Sequence, residues 1–99
     1  MKFIATWNIA SANLAAAQRR FVEEGGKYGE GCRLLGQWHS VNGVQGWGLV
    51  EAESAMALNM WLDAWADLLV ITITPVVEAE EAAAFMAKKL NIVKPVFKE

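Results

Sequence analysis

Residues 36–51, GQWHSVNGVQGWGLVE, hold the one histidine of the chain, His39, with Trp38 beside it and Trp47 eight residues on. An imidazole changes charge near neutral pH and can serve as acid or base. Asn42-Gly43 is the most favoured two-residue hairpin connection, since a type I′ turn needs positive φ at both positions. With that loop, Trp38 stands opposite Trp47, His39 opposite Gly46 and Gln37 opposite Gly48. The tryptophans form a cross-strand aromatic pair, while the two polar side chains each face a glycine. Those glycines read either as open volume or as close approach of another group to the backbone. His39 correspondingly reads as a ligand contact or as an ordinary strand-end residue.

Polarity then sorts the other strand residues. Trp38, Trp47 and Leu49 are expected to face the helices together with Trp7, Ile71 and Ile73. The opposite face then collects Thr6, Asn8, Gln37, His39, Thr72 and Thr74. Uncharged hydrogen-bonding groups in apolar surroundings suit a small apolar or aromatic ligand, so these six are the expected ligand-binding residues. A slip of one residue would reverse the assignment.

Other chemistry is poorly supplied. Cys32 has no C-x-x-C partner, and one His with one Cys cannot build a metal site, so no metal is expected. GGKYGEG (25–31) lacks the G-K-[ST] of a phosphate loop and reads as a connector. No serine sits in a G-x-S-x-G setting, and with one histidine no nucleophile–base–acid set is visible. No cofactor motif appears. Trp61 and Trp65, four apart, read as packing or as an aromatic platform.

The elements that must carry these residues follow from hydrophobic spacing. KFIATWN (2–8) is β-branched and aromatic and predicts a strand. Leu14, Ala17 and Phe21 predict a helix over 14–24, capped by Ser11 or Asn13. Strands are expected over 33–39 and 44–51. A second helix starts at Glu53-Ser54 and carries Leu58, Trp61, Leu62 and Trp65. The stretch 68–77 is the most β-prone, and a third helix spans about 78–90. Its acidic first turn and Lys88-Lys89 suit the helix dipole, and Asn91 can end it. IVKPVFK (92–98) is expected to be an extended tail that packs on a neighbour.

The order β-α-β-β-α-β predicts an α+β, ferredoxin-like antiparallel sheet with helices on one face, plus an extra C-terminal helix. At 99 residues the chain is expected to be a single domain, 1–99. Hydrophobic residues make up 55% of it, five of them tryptophan, which is more than a small monomer easily hides. An uncharged open sheet face predicts a homodimer with two sheets face to face. A net charge of −2 gives no basic footprint for nucleic acid. With no signal-like start and no apolar run of bilayer length, the expectation is a cytoplasmic protein that does not enter the membrane.

KFIATWNI, then LLGQWH with a short loop and a glycine-rich strand ending in VE, then a Trp-rich helix ending W-x-D before LL-x4-TPV, resemble one group of proteins. It is a family of short bacterial proteins of unknown function within the dimeric α/β-barrel superfamily. The resemblance implies a ferredoxin-like fold and a dimeric α/β barrel, and no activity. Two functions are therefore carried forward. One is a non-catalytic dimeric module that binds a small ligand or acts through assembly. The other is a cofactor-free enzyme acting on an aromatic or quinol-type substrate. It would resemble the antibiotic-biosynthesis-type monooxygenases or haem-degrading members of that superfamily, which use Asn, Trp and His or Tyr around an aromatic substrate. Asn8, Trp61 or Trp65, and His39 offer those residue types.

Overall fold

The computed structural model describes residues 1–94 and 96. Four strands, β1 (Lys2–Asn8), β2 (Cys32–His39), β3 (Gln45–Ala52) and β4 (Val70–Val76), form one antiparallel sheet in the order β2-β3-β1-β4. Helix α1 (Leu14–Glu24) joins β1 to β2, α2 (Asn59–Trp65) joins β3 to β4, and α3 (Ala79–Lys89) follows β4. This is the ferredoxin-like α+β architecture with the extra C-terminal helix that the element order implies. Short 3₁₀ turns precede α1 (Ser11–Asn13) and α2 (Ala55–Leu58).

Local chemistry accounts for most boundaries. The Ser54 hydroxyl accepts from the Ala57 N–H at the turn that opens α2. Asn91 takes a positive φ of 58° and ends α3 as expected. Asn13 occupies the cap position of α1, but its side chain makes no capping bond. Of the tail over 92–98, residues 95, 97 and 98 lie outside the described residues.

The hairpin pairs as expected, with Trp38 opposite Trp47, His39 opposite Gly46 and Gln37 opposite Gly48. The turn differs from type I′. Gly43 has a φ of 79°, while Asn42 does not enter the positive region. The Asn42 side chain accepts from Ser40 Oγ and the Val44 N–H instead, so the amide closes the turn without a left-handed backbone.

The face assignment expected from polarity is corrected by the register. Trp7 pairs with Gly46 on one side and Ile71 on the other, and Ala5 pairs with Gly48 and Ile73. Direct partners share a face. Gln37, His39, Gly46 and Gly48 therefore lie with Trp7, Ile71 and Ile73 under the helices. Trp38, Trp47 and Leu49 lie on the open face with Thr6, Asn8, Thr72 and Thr74. The reason is steric: the helix face must seat the Trp7 indole, and only the bare backbone at Gly46 leaves room for it. A bulge at Leu35, between Leu34 and Gly36, shifts β2 by one residue partway along.

The core sits between the sheet and two helices. Phe3, Ala5, Trp7, Val50 and Ala52 meet Ala17 of α1 and Leu58, Trp61 and Trp65 from the α2 segment. Trp38, 58% exposed, instead lies across Gly36 on the open face.

Candidate functional site

The site is built on Trp7. Held over Gly46, its indole meets Trp61 edge-on at 5.9 Å and His39 edge-on at 5.9 Å between ring centroids. Phe21 of α1 tilts against the histidine at 5.0 Å. Tyr28, from the glycine-rich loop, stacks on Trp61 at 4.4 Å with 18° between planes. Its hydroxyl stands over Gly48, where an added Cβ would lie 2.5 Å away. Both strand glycines thus mark close approach of an aromatic side chain, and neither leaves open volume.

The open volume lies next to them. A cavity of about 220 Å³ runs between sheet and helices, walled by Trp7, Phe21, Trp61, Trp65, Ala17 and Leu69. Its polar side chains are Gln18, Gln37 and His39, and among the described residues no Asp, Glu, Lys or Arg lines it. Gln37 Nε2 and His39 Nε2 are 2.9 Å apart. An amide can donate to a neutral imidazole or, turned over, accept from a protonated one, so Gln37 can hold the ring in either state. Phe21, Gly26, Gln37 and His39 also border an outer groove past Lys27, Tyr28, Cys32 and Leu34. They form the partition between cavity and surface.

Arg20 braces the far side. It donates to both Asp67 carboxylate oxygens at 2.9 and 2.7 Å and to the Ala64 carbonyl at 2.8 Å. Its guanidinium lies 5.2 Å from the Trp65 ring centre. These bonds tie α1 to the end of α2, the two helices that roof the cavity. The hydrogen-bonded guanidinium holds the Asp67 carboxyl below the usual carboxylate range.

Of the groups on the outer groove, neither the Tyr28 phenol nor the Cys32 thiol is poised to react at neutral pH. Burial, reinforced by Cys32, pushes the Tyr28 phenol well up from its ordinary value. Burial and then the Glu53 charge push the Cys32 thiol up, and its sulfur meets the Ala57 carbonyl at 3.3 Å. Among the described residues no group of three His, Cys, Asp or Glu is placed to hold a metal ion.

Of the six residues expected from the sequence, the structure brings Gln37 and His39 to the cavity and leaves four elsewhere. Thr6 pairs with Thr72, Asn8 with Val70, and Thr74 with Ile4, all on the open face. The trio of Asn8, a helix tryptophan and His39 is not assembled, because Asn8 points away from the other two. Phe21, Gln18 and Tyr28 were not anticipated. A lone tyrosine inside a run of glycines was the available signal, since such a loop keeps a large aromatic only where that ring docks.

A family model described as a domain of unknown function, DUF3303, matches residues 1–90. The chain belongs to this family. No curated protein matches it. Two solved structures are similar, each at 16% identity with a TM-score of 0.46 over 79% of this chain. One, covered to 93%, is from Deinococcus radiodurans and is described as a candidate antibiotic biosynthesis monooxygenase. The other, covered to 97%, is Rv0793 from Mycobacterium tuberculosis.

Proposed function

We propose that this protein is a non-catalytic, homodimeric, cytoplasmic module that binds a small, neutral, planar ligand of one or two rings. The observation that carries this is the cavity of about 220 Å³, walled by four aromatic rings, its polar side chains limited to the neutral Gln18, Gln37 and His39. An apolar cavity of ~150 Å³ binds benzene, and drug-sized sites begin at ~300 Å³. The volume therefore selects a ligand between those sizes. The neutral lining disfavours ions, because an unpaired charge would lose its hydration there. One hydrogen-bonding group on the ligand can meet Gln37 or His39 while the ring lies against tryptophan.

The open sheet face supports the dimer. Ile4, Thr6, Trp47, Leu49, Thr72 and Thr74 share it with Trp38 and with Val70, which is 71% exposed. Its charges, Lys2, Arg33 and Glu51, gather at one end. A second copy of the same face is the occupant such a surface suits. The free Cys32 thiol fits a reducing compartment.

The test is a thermal-shift and tryptophan-fluorescence screen of phenols, indoles, naphthols and quinones, with a cavity-filling control. A ligand at one hundred times its Kd adds about 2.7 kcal/mol, on the order of 10 °C for a chain of this size. Ala17→Leu, which extends a lining side chain into the space, should abolish the shift while the chain stays folded. A screen with no hit, or hits that survive Ala17→Leu unchanged, defeats the proposal.

A further inference from the structure

Helix α3 takes no part in the core. Its one buried residue, Ala87, lies outside the core cluster, and none of the partly buried side chains packed on that cluster comes from α3. Phe85 is 68% exposed and Leu90 62%. The radius of gyration is 16.8 Å with a long axis of 53 Å, whereas a compact chain of about 100 residues has ~13 Å. An isolated helix shorter than ~12–15 residues is marginal in water, and α3 has 11. It also lacks a side-chain cap at Glu78. A short helix without an N-terminal side-chain cap and with large apolar residues in solvent needs a surface that its own body does not supply.

We infer that α3 is a dimerisation arm that packs on a second copy of this chain, antiparallel to the partner's α3. This rests on the dimer reading above and extends it. Three observations choose the occupant.

The first is position. Lys2 lies on the open face by alternation with Phe3, and its ammonium is paired with Glu78, the residue before α3. The arm therefore leaves the sheet on the side of the uncovered face. The second is area. Four strands of about seven residues present roughly 450 Å² of flat face. A stable interface takes about 800 Å² per partner, and the exposed Phe85 and Leu90 of the α3 segment offer apolar area to make up the difference. The third is charge. Glu80 and Glu81 open the helix, and Lys88 and Lys89 close it. An antiparallel pair centred on Phe85 sets Glu81 beside the partner's Lys89 and each Phe85 against the other. A two-fold axis then repeats both contacts.

Sedimentation equilibrium of the 99-residue chain tests this, with Phe85→Glu, Glu81→Lys, Lys89→Glu and the double charge swap. Near-UV circular dichroism confirms that each body remains folded, as expected for residues outside the core. The parent should be a dimer, and Phe85→Glu should weaken it at least tenfold. Each single swap should weaken it severalfold, and the double swap should recover most of that loss. A parent that dimerises with Phe85→Glu unchanged overturns the arm but leaves the sheet-face dimer standing. Weakened single swaps without recovery in the double overturn the antiparallel pairing. A monomeric parent defeats the dimer reading and the arm together.

Discussion

Gly48 and Tyr28 make an energetic prediction that can be worked from the coordinates. Replacing Gly48 by alanine puts a Cβ 2.5 Å from the Tyr28 hydroxyl oxygen, about an ångström inside ordinary contact. The hydroxyl cannot simply retreat, because its ring is stacked on Trp61 and the residue is 5% exposed. Overpacking of this kind typically costs about 1–3 kcal/mol. The same hydroxyl has no hydrogen-bond partner among the described residues. Tyr28→Phe should therefore stabilise the fold or leave it unchanged, since a buried orphan hydroxyl carries a desolvation cost of about 1–3 kcal/mol. In the double variant the nearest remaining atoms to the new Cβ are at 3.5 and 3.6 Å, which is ordinary contact. Gly48 has no positive φ, so alanine there gains ~0.4–1 kcal/mol from the stiffer unfolded chain. Gly48→Ala should thus be destabilising in the parent and neutral or favourable beside Tyr28→Phe, a coupling on the order of 2 kcal/mol. Urea unfolding of the four proteins at one concentration measures it. Equal cost of Gly48→Ala in both backgrounds would refute the clash. A Tyr28→Phe variant losing more than about 1 kcal/mol would show that the hydroxyl has a partner after all.

Two pH dependences follow from the same structure. The Tyr28 phenol is held protonated by burial, so its contribution is intact below the unfolded value near pH 10. Above that, the unfolded chain releases the proton first and stability falls by about 1.4 kcal/mol per pH unit. Tyr28→Phe should remove that alkaline slope in urea titrations, and an unchanged slope would count against burial as its cause. Asp67, lowered by its Arg20 bonds, acts in the opposite direction. Its contribution is present above the ordinary carboxylate range near pH 4 and is lost as pH falls through the lowered value. Asp67→Asn should therefore lose less stability than the parent as pH falls below about 4, and an identical acid profile would mean that the pair contributes nothing.

The sequence by itself determined the element order, because a period of two in KFIATWN and spacings of three and four in Leu58, Trp61, Leu62 and Trp65 depend only on neighbours along the chain. It also determined the hairpin register, since loop length alone sets which residues of β2 and β3 face each other. It separated Trp38 from Gln37 and His39 because successive strand residues point to opposite faces. What it could not determine was which of those two rows meets the helices. Polarity favoured burying Trp38 and Trp47, but the choice is made by a third strand. Only when β1 pairs with β3 does Trp7 fall on Gly46, and only the glycine row can seat an indole. That one steric fit moved His39 and Gln37 under the helices and left Thr6, Asn8, Thr72 and Thr74 outside. The cavity is likewise a tertiary property. Phe21, Trp61 and His39 lie in three elements far apart in sequence, and nothing local records that their rings converge.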